Sequence, residues 1–172
     1  MNMHKLLGIL NFGILGLMII SLISLVFFNN RMETFKQQIY SKKIISPALD
    51  KAELYNRIVR KSNIYILFGS VSSGISAFLL LKNILTISTL LLLLGIVFLF
   101  LSLNKWYYFK ENISHGYLII AKKKSYWIYY FNDQKEKDMI LSWQNKMICS
   151  VYLTFFFYML LLTSTLLMKT IQ

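Results

Sequence analysis

With 172 residues, 56% of them hydrophobic and only 15% charged, the chain is too apolar for an ordinary soluble domain, in which about a quarter of residues carry charge. Nineteen Lys and Arg against seven Asp and Glu leave a net charge of +12, but the cations lie between long apolar runs, so anionic headgroups and topology explain them better than nucleic acid does. The single cysteine, Cys149, excludes an intrachain disulfide and reads as a small packing residue.

The first apolar run is Leu6–Phe28. As a helix it reaches about 34 Å, enough for a hydrocarbon core of about 30 Å. Met1-Asn2-Met3-His4-Lys5 imitates the start of a signal peptide, but the run is too long for one and no small-x-small cleavage site follows, which predicts a retained helix. Residues Asn29–Lys43 can continue that helix, and Ser46-Pro47 should break it. Asp50 then reads as an N-cap with Glu53 as its capping-box partner, opening a helix that presents Ala52, Tyr55 and Val59 on one face. That face predicts an amphipathic segment lying at the lipid surface or packed on the other charged loop.

Runs two and three, Ile64–Leu81 and Ile84–Leu103, are separated only by Lys82-Asn83 and so predict a tight antiparallel hairpin. Trp106, Tyr107, Tyr108 and Phe109 follow as an interfacial aromatic belt. Two β-leaning stretches, Tyr117–Ala121 and Tyr126–Phe131, flank Lys122, Lys123, Lys124 and Ser125 and predict a short hairpin with a basic tip. After the turn at Asn132-Asp133, Gln134–Lys146 reads as a helical extension of the fourth run, Met147–Met168.

None of the four runs contains Asp, Glu, Lys, Arg or His, so none carries the insertion cost of about 2.5–3.5 kcal/mol for a charge at mid-membrane. The segments 29–63 and 104–146 carry eight cations each, against Lys5, Lys82 and Lys169 on the opposite side. By the positive-inside rule both segments face the cytoplasm and both termini lie outside. The expectation is an all-α membrane protein of the cell inner membrane: a single domain over 1–172 with four transmembrane helices, two basic cytoplasmic loops and a short β-hairpin in the second.

The clearest local pattern lies in the second run. Gly69, Ser73 and Ala77 recur every four residues, and Ser70 and Gly74 repeat the spacing one position along. Small residues at that interval let helices approach closely. Packing within the protein against the first, third or fourth run, with Gly13, Gly16 and Ser24 of the first run as the natural candidates for the facing surface, is favoured over a docking face for another membrane protein. Lys122, Lys123 and Lys124 serve as a topology determinant or contact anionic lipid or an acidic patch on a partner. Asn11, Thr86, Ser88 and Thr89 lie near the outer interface, where anchoring or helix contacts suit them better than a substrate path.

The seven acids are Glu33, Asp50, Glu53, Glu111, Asp133, Glu136 and Asp138. They show neither paired-carboxylate nor metal-ligand spacing, and His4 and His115 are isolated. No hydrolase, zinc-protease or phosphate-loop motif is present. The sequence therefore predicts no catalytic, cofactor or metal site, and action through protein contact. In its four apolar runs, such as Leu6–Phe28 and Met147–Met168, and its lysine-rich loops, the chain resembles small inner-membrane proteins carried by plasmids, above all the entry-exclusion proteins of F-like conjugative plasmids. The immunity proteins of pore-forming colicins are similar in size but look to have cytoplasmic termini, which this chain should not. The resemblance implies exclusion or immunity, in which a membrane protein blocks redundant conjugative DNA entry by contacting an incoming component. An accessory subunit of a transport or secretion complex needs the same features and stays open, as does homo-oligomerisation. A small channel or transporter fits less well, because the runs lack polar groups or breaks at the midplane.

Overall fold

A computed structural model describes residues 3–41, 45–47, 49–82, 84–122 and 125–170. Its elements run α1 (Met3–Ser41), β1 (Ser46–Pro47), α2 (Leu49–Leu81), α3 (Leu85–Ser102), α4 (Asn104–Ser114), β2 (Tyr117–Lys122), β3 (Ser125–Tyr130) and α5 (Gln134–Thr170). Among the described residues three helical stretches are long and apolar enough to cross a membrane: Leu7–Ser41, Thr86–Ser114 and Gln134–Thr165. Their outward faces are rows of bare hydrocarbon, with Phe12 82% exposed and Ile9 67%, surfaces that lipid accepts and water does not.

The contacts group the chain into two compact units, one of 1–44 with 132–172 and one of 45–131. In the first, α1 pairs with α5. Ser21 Oγ and Thr154 Oγ1 lie 2.7 Å apart, and Ser150 Oγ donates to Ser24 Oγ at 3.0 Å. Further along the pair, Phe35 meets Trp143 edge to face at 6.4 Å. Each contact joins residues whose numbers fall on one side of α1 as they rise and on one side of α5 as they fall, as antiparallel helices require. Met32, Ile39, Ile140, Gln144 and Met147 are buried, so the pairing extends well beyond the apolar runs into the charged segments.

In the second unit α2 packs on α3 along a seam built from small residues. Ser62 Oγ donates to the Ser102 carbonyl at 2.8 Å. Seven residues on, Gly69 meets Gly95: a Cβ on Gly69 would lie 3.1 Å from the Gly95 carbonyl oxygen and 2.6 Å from Leu99 Cγ. Seven further on, Ser76 and Ser88 each donate a hydroxyl to the other's backbone carbonyl at 2.8 Å. A seven-residue repeat on each helix keeps one stripe in contact along the whole pair. In an apolar medium small residues are what let two backbones come this close.

Both helices continue past the apolar runs into a small head. Leu103 keeps a near-helical φ of −63° and ψ of −22°, so α3 passes into α4 through one tightened turn, with the Leu103 amide bonding to the Phe100 carbonyl at 3.1 Å. Gly116 takes a φ of +88°, a conformation glycine adopts without penalty, and turns the chain from α4 into β2. The Phe131 amide then bonds the Gly116 carbonyl at 3.0 Å and closes the base of the hairpin. The sheet order is β1-β3-β2, all antiparallel.

Three local expectations need correction. Ser46-Pro47 is more than a helix break, since it pairs with Ile128 and Trp127 as a third strand; proline, lacking an N–H, is tolerated at such an edge. α2 begins at Leu49, which puts Asp50 inside the first turn rather than at the cap, and Glu53 instead accepts from Arg57 Nη2 at 3.0 Å. Cys149 is exposed on α5 rather than packed.

Gly95→Leu is expected to melt the protein at lower temperature in detergent. The Cβ of residue 95 would sit 2.7 Å from Ser73 Oγ and 3.1 Å from the Gly69 carbonyl oxygen, an overpacking that costs about 1–3 kcal/mol. Gly13→Leu, at a site with nothing within 4 Å of a new Cβ, should leave the melt unchanged; equal losses for the two would show that the seam is not under tight constraint.

Candidate functional site: an aromatic and basic head

The two stripes of small residues read from the sequence lie on different sides of α2. Gly69 and Ser73 are buried against α3, where Gly95 and Leu99 meet them. Ser70 and Gly74 are exposed, and nothing lies within 4 Å of a Cβ built on Gly74. The side chain of Ala77 lies outside the described residues, as do that of Lys122 and the whole of Lys123 and Lys124; Lys122 closes β2 in its backbone. Gly13 and Gly16 have open space around them, and Ser24 pairs with Ser150 of α5.

Sequence reasoning missed the partners of Gly69 and Ser73. The four-residue spacing within one helix drew the eye, whereas the signal for the seam is a seven-residue spacing mirrored in two runs: Ser62, Gly69 and Ser76 against Ser102, Gly95 and Ser88.

The head gathers aromatic rings from elements that are distant in sequence. Tyr55 of α2 stacks on Phe109 of α4 with centroids 5.8 Å apart and meets Tyr126 of β3 at 5.5 Å. The Tyr126 hydroxyl donates to Asn56 Oδ1. Lys51 Nζ sits 3.7 Å from the Tyr117 ring centroid, within cation–π range. The Tyr117 hydroxyl donates to Asn112 Oδ1 at 2.8 Å, and its ring meets Tyr130 at 6.2 Å. Ala52, Tyr55 and Val59, the predicted face of α2, are all half-buried, and Tyr55 rests on the second charged segment.

Asn112 is 4% exposed, and its Nδ2 has no hydrogen-bond partner among the described residues. Such a donor rigidifies a network when satisfied and costs about 1–3 kcal/mol when not. Around this core the surface presents Tyr107 and Tyr130 with Arg57, Arg60 and Lys61, all exposed. Exposed tyrosines and arginines are residue types enriched in contact surfaces. Among the described residues no three His, Cys, Asp or Glu side chains converge as a metal site requires.

Comparison with protein-family models, curated proteins and solved structures finds no match. The reading of function therefore stands on this geometry and on the sequence.

Tyr55 is the ring that joins α2, α4 and β3. In a double-mutant cycle, Tyr55→Ala and Phe109→Ala should couple by about 0.5–1.5 kcal/mol, the range for stacked aromatic pairs, measured by thermal melts of the detergent-solubilised chain. Additive losses would show that the two rings contribute only separate burial.

Proposed function

We propose that the protein crosses the cell inner membrane four times, holds 29–63 and 104–146 in the cytoplasm, and acts without catalysis by contacting another membrane protein. The specific activity we infer is exclusion or immunity, in which redundant conjugative DNA entry is blocked. The fourth crossing in this reading is the 64–81 part of α2. It contains no charged residue, turns Ile66, Leu67, Phe68, Val71, Ile75 and Phe78 outward, and at about 27 Å nearly matches the hydrocarbon thickness. The orientation follows from sixteen cations in the two charged segments against three elsewhere.

The observation that carries the contact reading is the head. The described residues of 45–63 and 104–131 are not solvated tethers between spans. They form a hydrogen-bonded sheet on two helical extensions, with rings and cations outermost. A tether needs only charge to set topology, whereas a surface held by aromatic stacking is preorganised and loses less entropy on meeting a partner.

Two measurements test this. With Cys149→Ser as background, single cysteines at Ser41 and Ser125 should resist a membrane-impermeant maleimide on intact spheroplasts and react after permeabilisation; labelling of intact spheroplasts would reverse the orientation. Expressed in a plasmid-free recipient, the chain should lower transconjugants from an F-like donor by an order of magnitude or more, and Tyr130→Ala should restore part of the loss. An unchanged count at confirmed expression would overturn exclusion for that transfer system and turn the head toward a resident membrane complex, to be recovered by pull-down in mild detergent.

A further inference from the structure

The α1–α5 unit carries a feature outside the proposed contact head. Where the two helices leave their apolar runs, a groove of about 520 Å³ opens between them. Phe27, Met139 and Trp143 form its apolar wall, and Asn30, Arg31 and Gln38 supply its polar groups. The Arg31 guanidinium carbon lies 4.5 Å from the Phe27 ring centroid and 5.8 Å from that of Trp143. Arg31 is exposed and has no carboxylate within ion-pair distance among the described residues. Among the described residues no acidic side chain lines the groove, and the nearby Glu33 is taken by Lys36 at 2.6 Å. A second cation stands alongside, with Lys146 Nζ 5.2 Å from the Phe28 ring centroid.

Depth along the helices narrows the choice of ligand. Arg31 is three residues past the end of the first apolar run and Trp143 four residues before the start of the last, about 4.5 and 6 Å along a helix axis. The headgroup layer occupies roughly that span, since a bilayer gains about 10–15 Å in all from its two polar zones. A guanidinium resting near two aromatic rings at headgroup depth, with Asn30 lining the same groove and the apolar run ending less than a turn away, matches a phosphodiester joined to a glycerol and acyl chains.

We propose that this groove seats the headgroup phosphate of one acidic glycerophospholipid at its membrane end, with Arg31 as the principal donor, Asn30 as a secondary donor, Trp143 beside the headgroup and Phe27 against the glycerol and upper acyl chain. The proposal rests on α1 and α5 crossing a membrane and is independent of exclusion. Lys146 adds positive field beside the groove without lining it. The bound lipid bridges α1 and α5 where their pairing passes from hydrocarbon into water, and so ties the unit to a membrane of the right charge.

The test uses the full chain in neutral detergent, titrated with phosphatidylglycerol or phosphatidylcholine, with retained lipid counted by native mass spectrometry. The wild-type protein should keep phosphatidylglycerol in preference to phosphatidylcholine. Arg31→Gln should lower phosphatidylglycerol retention about fivefold, the weight of one basic side chain at an anionic surface. Arg57→Gln, which removes the same charge from the other unit, should leave retention unchanged. Asn30→Leu, at an exposed position lining the same groove, should give a smaller loss and serves if Arg31→Gln misfolds by circular dichroism. Equal losses for Arg31→Gln and Arg57→Gln, equal retention of the two lipids, or displacement of phosphatidylglycerol by excess inorganic phosphate would each overturn the proposal. The first would reveal a diffuse field, the second a groove blind to charge, and the third a site for a free anion.

Discussion

Two hydroxyl pairs and one glycine pair, each seven residues from the next, set the distance between α2 and α3, and the head depends on that distance. Ser62 with Ser102, Gly69 with Gly95 and Ser76 with Ser88 are all small enough for the backbones to approach until a side-chain hydroxyl reaches the opposite carbonyl. Two Leu-faced helices in lipid have little reason to associate, because the surrounding acyl chains are as apolar as they are. Close packing and hydroxyl bonds supply the preference instead. Because α2 reaches the head without interruption and α3 passes into α4 through one near-helical turn, the spacing fixed in the seam is inherited by Tyr55 and Phe109. The β hairpin then has a defined pair of helices to rest on.

The first unit solves the same problem with a different mixture. Its hydroxyl contacts, Ser21 with Thr154 and Ser24 with Ser150, lie within the apolar runs. Beyond them the pairing is carried by Met32, Ile39, Ile140 and Met147, and by the edge-to-face contact of Phe35 with Trp143. The switch follows the solvent. Inside a bilayer burying methylene groups gains nothing over lipid, so hydrogen bonds and fit decide; outside it, the hydrophobic effect returns and large apolar side chains pair the helices. α1 and α5 thus stay together across the boundary by changing the kind of residue at the contact. The groove beside Arg31 opens where that change occurs.

Charge organises both segments without entering either core. Most of the cations whose side chains are described are exposed or rest on rings, as Lys51 does on Tyr117 and Lys146 on Phe28. The two ion pairs seen among the described residues, Lys36 with Glu33 and Arg57 with Glu53, are local to one helix turn and contribute little to stability. The positive excess is therefore not consumed by internal pairing among the described residues.

The sequence by itself determined the apolar runs, the hairpin turn at Lys82, the helical continuation of α1 and α5 past the lipid boundary, and the pair of strands around Lys122. Each rests on a period, a length or a breaker that acts within a few residues. Only the tertiary structure decided which small residues meet. The four-residue spacing of Gly69 and Ser73 is a property of one helix, and no single helix says that Gly95 is the surface opposite. Ser46-Pro47 reads as a break because proline ends helices; that it also forms a strand depends on β3 lying beside it. The aromatic head was equally hidden, since Tyr55, Phe109 and Tyr126 are separated by long stretches of chain and come together only when the seam sets two helices at the right distance. Local chemistry chooses the elements, and long-range contact, which no short window of sequence contains, chooses their partners.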